Sequence, residues 1–471
     1  MTRSSPAFNL SSPPLDTATG VALAVGLFVA FTPGLFNDGD TFLHVAAGGL
    51  MLDRHAVPTT DPFSYTFAGK PWQTHEWLAE VIMALAFRAG GWAGVALLFG
   101  VTVGSAVALL VRHVQKLAPG PAGLAIAALP FACLAPSLLA RPHILALPLM
   151  ELFVAELVFA RREGRQPRAA LLAVMMAIWC NLHGSFVIGL VLAAAFGLEA
   201  VIKKRDALLA AARPWAILGA LLLVAVVIGP HGIETLTFPL KLTRFSSLNA
   251  IGEWAPMNIA ENGVFALTLA AGLFALLWRG RRLDALPLLV TLVLIGMSFS
   301  HVRHVVLFAM IAPLMVAEGF ATGSEPAPRP ASWAAMAASL GFVAVVRMLI
   351  PLAEPKSSSA PVAALAHVPA SLQAQPVFNA YAFGAYLAYR GVKPYVDSRA
   401  EVYGDDFLKA FSGLEQDPTL LLKALEARHV AWTLEAPGSQ VTRTLDAAPG
   451  WKRLYADEVA VVHVRTSRPL K

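Results

Sequence analysis

The sequence is poor in charge. Asp, Glu, Lys and Arg together make up 14% of its 471 residues, whereas they account for about 25% of an average soluble domain. Hydrophobic residues make up 57% of the chain. This balance excludes an ordinary soluble globular enzyme, because such a protein needs a charged exterior to stay in water. For most of this chain the expected solvent is the lipid bilayer.

Cysteine is nearly absent as well. The chain has two, Cys133 and Cys180, and each falls in or at the end of an apolar segment. Two such residues are too few for a disulfide framework or a thiolate metal centre, so we expect both to be inert core residues. The net charge is +6, but the sequence lacks a basic stripe with interleaved aromatics, which argues against nucleic acid as a partner.

Long apolar runs recur through the first three-quarters of the chain. Each is near the short end of the length that spans a bilayer, and together they predict about eleven transmembrane helices. The runs lie at residues 20–36, 93–111, 122–138, 143–160, 169–180, 186–202, 214–229, 263–278, 284–299, 303–319 and 332–350. We interpret the first run as a retained helix behind a cytoplasmic tail (1–19), because no small-residue cleavage site follows it.

Basic residues concentrate in alternate loops between these runs. Because Lys and Arg collect on the cytoplasmic side of membrane helices, the alternation predicts a cytoplasmic N-terminus and an outer C-terminus. The transmembrane domain is thus 20–353, with a large first outer loop at 37–92. The basic residues of the inner loops are Arg112, Lys116, Arg161, Arg162, Arg165, Arg168, Lys203, Lys204, Arg205, Arg213, Arg279, Arg281 and Arg282.

The composition changes after the last apolar run. A short linker, 356–359, leads into strand-like runs at 394–396, 430–434 and 459–464 and a helical stretch at 419–428. This mixture predicts a small α/β domain at 354–471. The expected location of the protein is a bacterial inner membrane, with this domain in the periplasm. The predicted fold class is an all-α polytopic membrane bundle with an extracytoplasmic α/β domain.

Polar residues gather at the predicted outer ends of the helices. Ionisable groups at membrane level are costly and usually functional, and a bundle would bring them around one pocket. Taken one at a time, each of these residues is more simply explained as an ordinary side chain at the membrane–water interface. The candidates for substrate binding are His44, His75, Glu76, Glu80, Arg141, His143, His183, His301, Arg303 and His304.

Two carboxylates stand out directly after the first helix. Asp38 and Asp40 are one residue apart, so they could bind a hard divalent cation such as Mg²⁺ or Mn²⁺, or one of them could act as a general base. The alternative is a turn that caps the next helix, with Gly39 between them. Glu76 and Glu80 share one helix face and form either a second acid/base cluster or the polar face of an interfacial helix.

Several of these segments resemble the GT-C superfamily of membrane glycosyltransferases. The resemblance lies in the arrangement of helices and in several short strings, which are similar to poorly characterised bacterial GT-C-like proteins. These strings are Asp38–His44, Val57–Tyr65, Pro71–Trp72, His75–Glu80 and Tyr395–Gly404. Distant relatives in that superfamily are protein O-mannosyltransferases and oligosaccharyltransferase catalytic subunits. The chain departs from the latter because it lacks a WWDYG-type signature, and no second D-x-D occurs in its later outer loops.

The resemblance implies transfer of a sugar from a polyprenyl-phosphate carrier to an envelope glycan, lipid or protein at the outer face. Asp38 or Asp40 would be the base or metal ligand, and Arg141, Arg303 or a histidine would hold the lipid phosphate. Asp397, Arg399 and Tyr403 are candidate acceptor contacts, or else an internal salt bridge with a packed aromatic.

Two other functions fit parts of the pattern. A transporter or flippase of lipid-linked glycans also needs polar residues among its helices, although transporters carry them near the midplane and in repeated halves. A non-catalytic envelope scaffold would use its outer domain and not the Asp pair.

Overall fold

The computed structural model of the chain describes residues 16–242, 245, 254–278, 280, 282–321 and 332–466. Most of the predicted N-terminal tail (1–15) and the inner-loop residues Arg279 and Arg281 lie outside the described residues. Up to residue 349 the described elements are helical. They are α1 (Thr17–Phe31), α2 (Asp40–Arg54), α3 (Trp77–Leu117), α4 (Pro121–Leu134), α5 (Pro142–Leu145), α6 (Leu147–Arg162), α7 (Ala169–Leu182), α8 (Phe186–Lys203), α9 (Leu208–Val227), α10 (Glu234–Leu242), α11 (Gly263–Trp278), α12 (Ala285–Ser300), α13 (Val305–Val316) and α14 (Trp333–Leu349).

Each of the eleven apolar runs coincides with one of these helices. Among the described residues, four helices are long and apolar enough to cross a membrane, and six are shorter and apolar. The remaining one, α6, carries Glu151, Glu156, Arg161 and Arg162, more charge than a lipid-facing span tolerates. The chain is therefore a helical membrane protein, while the number of eleven crossings stays a prediction.

The segment predicted as the first outer loop, 37–92, is not a loop; we keep the predicted location in its name and call it the first outer segment. It contains α2 and the first three turns of α3, and α3 then bends where Gly90 and Gly91 leave the helical conformation. Gly91 has φ 57°, a left-handed backbone that glycine adopts without a steric penalty. The apolar run at 93–111 thus marks only the second half of a longer, bent helix, and its polar first half escaped the hydropathy pattern.

Helix α3 lies at the centre of the bundle and packs against α1, α2, α6 and α14. Its contact with α2 is unusually close at Gly48, where a Cβ atom would lie 1.9 Å from the Glu80 backbone oxygen. Small residues allow helix backbones to approach in this way. The close crossing brings the polar faces of α2 and α3 together at the end of the bundle that faces the outer domain.

The opposite end of the bundle carries a network of ion pairs. Arg161 contacts Glu199 at 2.7 Å and Asp284 at 2.6 Å, and both Arg165 and Arg168 contact Glu156. These pairs join α6 to α8 and to the start of α12. The basic residues that predicted the cytoplasmic side therefore also hold helix ends together.

The C-terminal domain is a small sheet covered by helices. Its elements are α15 (Val362–Ala366), α16 (Ala370–Gln373), β1 (Val377–Asn379), α17 (Gly384–Tyr389), α18 (Ala400–Gln416), α19 (Pro418–Ala427), β2 (Trp432–Glu435), α20 (Gln440–Ala447), β3 (Trp451–Ala456) and β4 (Val461–Arg465). The strand order is β1-β2-β4-β3, with β1 parallel to β2 and the other pairs antiparallel. An α/β domain and the helix near 419–428 were predicted.

The strand predicted at 394–396 is wrong. These residues are buried but lie outside the sheet. Their backbone pairs with a side chain: the Tyr395 N–H donates to Asn379 Oδ1 at 2.8 Å, and Asn379 Nδ2 donates to the Val396 carbonyl at 2.9 Å. In the sequence, a buried apolar segment of this kind has the same pattern as a β-strand.

The outer domain is docked on the first outer segment. The Tyr65 hydroxyl donates to the Val377 carbonyl at 3.0 Å, and the Thr66 hydroxyl donates to the Tyr395 carbonyl at 2.6 Å. Phe42 of α2 packs edge-on against Tyr386 of α17, with ring centroids 5.2 Å apart. The outer domain thus covers the start of α2, and we also call it the roof domain.

Candidate active site

Under this roof lies a polar cavity of about 300 Å³, which we call the polar pocket. It is bounded by the starts of α2 and α3, the segment before α5, and the first turn of α18. Of the fifteen residues predicted for the site, eleven line the pocket: Asp38, Asp40, His44, His75, Glu76, Glu80, Arg141, His143, His183, Arg303 and Arg399. The fold thus collects side chains from positions 38 to 399.

The two aspartates share one arginine. Arg141 Nη2 lies 2.8 Å from Asp40 Oδ2, and Arg141 Nε donates to Asp38 Oδ2. Asp38 also accepts the Asp40 backbone N–H at 3.1 Å, which is the capping turn that the sequence offered as an alternative. The turn and the pocket are compatible, because the turn uses Asp38 and leaves the Asp40 carboxylate at the helix start.

Their environments separate the two carboxyl groups chemically. Burial raises the pKa of each, but for Asp38 the adjacent Arg141 guanidinium outweighs burial and lowers its pKa. For Asp40, burial and the nearby Asp38 charge prevail over Arg141 and raise the pKa to about 6. A carboxylate with a pKa near the operating pH is the better proton acceptor, so Asp40 is the better candidate base.

His44 and two glutamates form a second cluster beside the aspartates. His44 Nδ1 lies 3.0 Å from Glu80 Oε1, and His44 Nε2 lies 3.9 Å from Glu76 Oε2. Burial lowers the pKa of His44, but the hydrogen bond with Glu80 and the two glutamate charges raise it to about 9. His44 is therefore a cation at neutral pH, on the same helix face as Asp40.

His183 faces the same glutamate and has the opposite charge state. Burial and the neighbouring His143 and Arg303 lower the pKa of His183 well below its usual range. The Ser185 backbone N–H donates to its Nδ1 at 3.1 Å, so the ring hydrogen is on Nε2, 3.6 Å from Glu76 Oε1. His183 is thus a neutral donor directed at Glu76.

A second cavity, of about 630 Å³, continues from the polar pocket; we call it the apolar chamber. The two share a wall of polar side chains and Trp254. Beyond that wall the chamber is lined largely by apolar side chains of α8, α10 and α13. The shared residues are His75, Glu76, Arg141, His143, His183, Trp254 and Arg303. Arg303 stacks on the Trp254 ring at 4.2 Å.

His301 and His304 belong to the chamber and not to the polar pocket. Their Nδ1 atoms lie 2.6 Å from the Trp254 carbonyl and 3.0 Å from the Met297 carbonyl. These bonds fix the ring orientations at the end of α12. The two histidines therefore line the chamber beside Arg303, which belongs to the shared wall.

The three residues predicted in the outer domain form an internal network. Asp397 is fully buried and accepts hydrogen bonds from Arg399 Nη2 at 2.6 Å and from the Tyr403 hydroxyl at 2.9 Å. Arg399 Nη1 also lies 2.7 Å from Asp61 Oδ1 in the first outer segment. Only Arg399 reaches the polar pocket, so the geometry matches the internal salt bridge that the sequence left as the alternative for Asp397 and Tyr403.

Glu401 is the residue that sequence reasoning missed. It lies in the first turn of α18, lines the polar pocket, and accepts a hydrogen bond from Trp72 Nε1 at 3.1 Å. Burial raises the pKa of its carboxyl to about 7. Its only signal in the sequence is its place in the string 395–404, because the docking of the outer domain that brings it to the pocket leaves no periodic pattern.

The predicted cation would need the two aspartates. Both are carboxylates of the right kind for Mg²⁺ or Mn²⁺, but Arg141 already contacts both. Among the residues that the structure describes, no group of three His, Cys, Asp or Glu side chains is placed to hold a metal ion. As arranged, the pair does not fit a divalent cation unless Arg141 is displaced.

Comparisons with known proteins identify the fold. No family model and no curated protein matches the sequence. The archaeal oligosaccharyltransferase AglB from Archaeoglobus fulgidus, in complex with an inhibitory peptide and a dolichol-phosphate, matches with a TM-score of 0.56 and 10% identity, over 89% of this chain and 69% of that chain. The Archaeoglobus fulgidus oligosaccharyltransferase in complex with Zn and sulfate matches with a TM-score of 0.55 and 12% identity, over 96% and 73%.

A third match is the arabinofuranosyltransferase AftD from Mycobacteria, with a TM-score of 0.52 and 15% identity, over 96% of this chain and 40% of that chain. The chain therefore has the GT-C fold, which confirms the resemblance drawn from its sequence. At these identities the likeness concerns the fold, and the chemistry has to be argued from the site.

Proposed function

We propose that this chain is a glycosyltransferase that moves a sugar from a polyprenyl-phosphate donor to an acceptor at the outer face of the membrane. One observation carries the proposal: a polar pocket with a candidate base continues, through a wall of arginine and histidine, into an apolar chamber. The polar pocket, the wall and the apolar chamber follow one another in space. In that order they are complementary to a sugar, a phosphate and a long apolar tail. The Archaeoglobus fulgidus structure with bound dolichol-phosphate supports the same donor class.

In this proposal the tail lies in the apolar chamber and the phosphate lies against the shared wall. Arg303 and His143 face both cavities, and a guanidinium is well suited to a phosphate because it donates several parallel hydrogen bonds. Trp254 fixes the Arg303 guanidinium by stacking at 4.2 Å. Arg141 is less suited to the phosphate, because it already contacts both Asp38 and Asp40.

The transfer step follows from these positions. Asp40 takes the proton of an acceptor hydroxyl while that oxygen attacks the anomeric carbon of the sugar. The bond between the anomeric carbon and the phosphate oxygen breaks, and its electron pair leaves with the polyprenyl phosphate. Arg303 stabilises the charge that develops on the leaving phosphate. The products are the glycosylated acceptor, polyprenyl phosphate and a protonated Asp40, which then loses its proton to solvent.

The cell side is part of the proposal. The ion-paired arginines around Glu156 and Glu199 lie at the end of the bundle opposite the pocket, as expected if that end is cytoplasmic. We propose a bacterial inner membrane with the roof domain in the periplasm. Mg²⁺ or Mn²⁺ is given no step, because Arg141 already supplies a positive charge to the two aspartates.

The test is sugar transfer in proteoliposomes with a panel of radiolabelled undecaprenyl-phosphate sugars and an envelope fraction as acceptor. Asp40→Asn should lower the transfer rate by about 10²- to 10⁴-fold and retain binding of undecaprenyl phosphate. Asp53→Asn is the matched control, because Asp53 is an exposed carboxylate at the other end of α2. Near-normal transfer by both Asp40→Asn and Asp38→Asn would show that the assignment of the base is wrong.

A further inference from the structure

A third cavity opens on the other side of Glu401. Its volume is about 1120 Å³, and we call it the outer cleft. It runs between the first outer segment, the turn at 229–234, helix α10 and the roof domain. Trp72 and Glu401 are the two residues that line both the outer cleft and the polar pocket. They therefore lie at the boundary between the cleft and the pocket that contains Asp40.

The position of Glu401 is fixed from two sides. Trp72 donates to its carboxylate at 3.1 Å, and the Trp72 ring lies 4.7 Å from the Arg399 guanidinium. Arg399 itself is held between Asp397 and Asp61, so the first turn of α18 is anchored to the first outer segment. This support holds the Glu401 carboxylate in a fixed orientation between the outer cleft and the polar pocket.

The outer cleft carries a second sign of a ligand. Gln73 lines it, and the Gln73 amide nitrogen is buried without a hydrogen-bond partner in the part of the chain that the structure describes. A buried donor of this kind costs free energy unless something bonds to it. An amide donor at Gln73 and a carboxylate acceptor at Glu401, on neighbouring parts of one wall, are complementary to hydroxyl groups.

The size and lining of the outer cleft indicate the kind of ligand. A cavity of about 300 to 1,000 Å³ is enough for a drug-sized molecule, and the outer cleft exceeds that range. Its lining mixes Thr59, Gln73 and Glu234 with Ile233 and Phe238. Such a surface suits a chain of sugars, whose rings have apolar faces and hydroxyl edges, better than the purely apolar tail of a lipid.

We propose that the outer cleft binds the acceptor as a glycan of more than one sugar unit, and that Glu401 accepts a hydrogen bond from the acceptor hydroxyl at the entrance to the polar pocket. This inference rests on the proposed function and names its acceptor. Glu401 is then a specificity-determining residue that the roof domain supplies. The donor, which occupies the apolar chamber, does not touch it.

The experiment is steady-state transfer in proteoliposomes from the undecaprenyl-phosphate sugar that the wild type accepts, with size-fractionated envelope polysaccharide as the acceptor. Glu401→Gln should raise the KM for the polysaccharide about tenfold, because a charge-assisted hydrogen bond is replaced by a weaker one to a neutral amide oxygen, and should leave the KM for the donor unchanged. Gln73→Leu should act in the same direction. Glu415→Gln is the matched control, because Glu415 lies on the same helix and lines none of the three cavities.

The outcomes separate this inference from the proposed function. If the wild type transfers sugar from none of the donors, both are overturned. If the wild type is active and both variants keep its KM for the polysaccharide, or lose affinity for the donor equally, the inference alone is overturned. Transfer to a peptide mixture but not to polysaccharide would overturn the acceptor class. Should Glu401→Gln fail to fold, the Gln73→Leu result decides.

Discussion

Replacing Gly48 with alanine tests whether the close crossing of α2 and α3 sets the geometry of the active site. A Cβ atom at Gly48 would lie 1.9 Å from the Glu80 backbone oxygen and 2.9 Å from the Ala84 Cβ atom. Because Cβ contacts below 3.0 Å are essentially never observed, the two backbones must separate locally by about 1 Å. The added methyl group cannot be absorbed by a rotamer change, since the nearest atom belongs to the backbone.

The separation acts on the polar pocket through His44, one turn before Gly48. The His44–Glu80 hydrogen bond is 3.0 Å long, so a shift of this size would stretch it beyond hydrogen-bonding distance. The pKa of His44 would then fall from about 9, because Glu80 is the principal group that raises it. Asp40 lies on the same helix, and a misplacement of about 1 Å can cost 10²-fold in rate.

We therefore expect Gly48→Ala to lower sugar transfer about 10²-fold in a protein that still extracts and purifies as a folded monodisperse species. Gly49→Ala is the matched control, because its Cβ atom would meet nothing within 4 Å. That substitution should leave transfer unchanged and add about 0.5–1 kcal/mol of stability through helix propensity. Equal transfer by the two folded variants would refute the reasoning, and NMR titration of His44 gives a second readout.

Three further predictions concern charge. Arg399→Met should lower the free energy of unfolding by about 3–5 kcal/mol by leaving the buried charges of Asp397 and Asp61 unpaired. Arg453→Met, at an exposed ion pair, should change the free energy of unfolding much less. Equal effects of the two substitutions in chemical denaturation would show that the buried network is unimportant. Since Asp40 must be ionised to act as a base and its pKa is about 6, transfer should rise with pH through 6 and level off above it; a flat wild-type profile would contradict this. Arg141→Met should free the two aspartates and increase Mn²⁺ binding over the wild type, and equal binding by electron paramagnetic resonance would show that Arg141 does not block a cation.

The sequence predicted most of the bundle because burial in lipid imposes a simple rule. Every apolar run had to become a helix, since a helix satisfies its backbone hydrogen bonds within one segment. This rule does not predict α2 or the start of α3. There the residues are mixed in polarity, and they are buried by the roof domain. The same limit explains the strand wrongly predicted at 394–396, where the Asn379 side chain pairs with the backbone.

Most of the residues that line the polar pocket could also be predicted from the sequence. Asp40, His44 and Arg141 could be grouped because the alternation of basic loops assigned them all to one side. The separate roles that we propose for the arginines could not be predicted, because they depend on distances: Arg141 lies against both aspartates, whereas Arg303 lines the wall between the polar pocket and the apolar chamber. Glu401 needed the docked position of α18, which depends on the Arg399–Asp61 contact across two domains.

The roof domain and the residues at the bottom of the polar pocket are far apart in the sequence, and this separation has a consequence for how the protein is made. Trp72 and Glu401 are 329 positions apart, and synthesis proceeds at about 5–20 residues per second, so roughly 15 to 65 s separate the two halves on the ribosome. During that interval Asp38 and Asp40 exist without Arg399 and Glu401, which line the same pocket. Under the proposed function, a nascent or prematurely terminated chain would therefore be inactive, and transfer would begin only after the last segment had folded onto the rest.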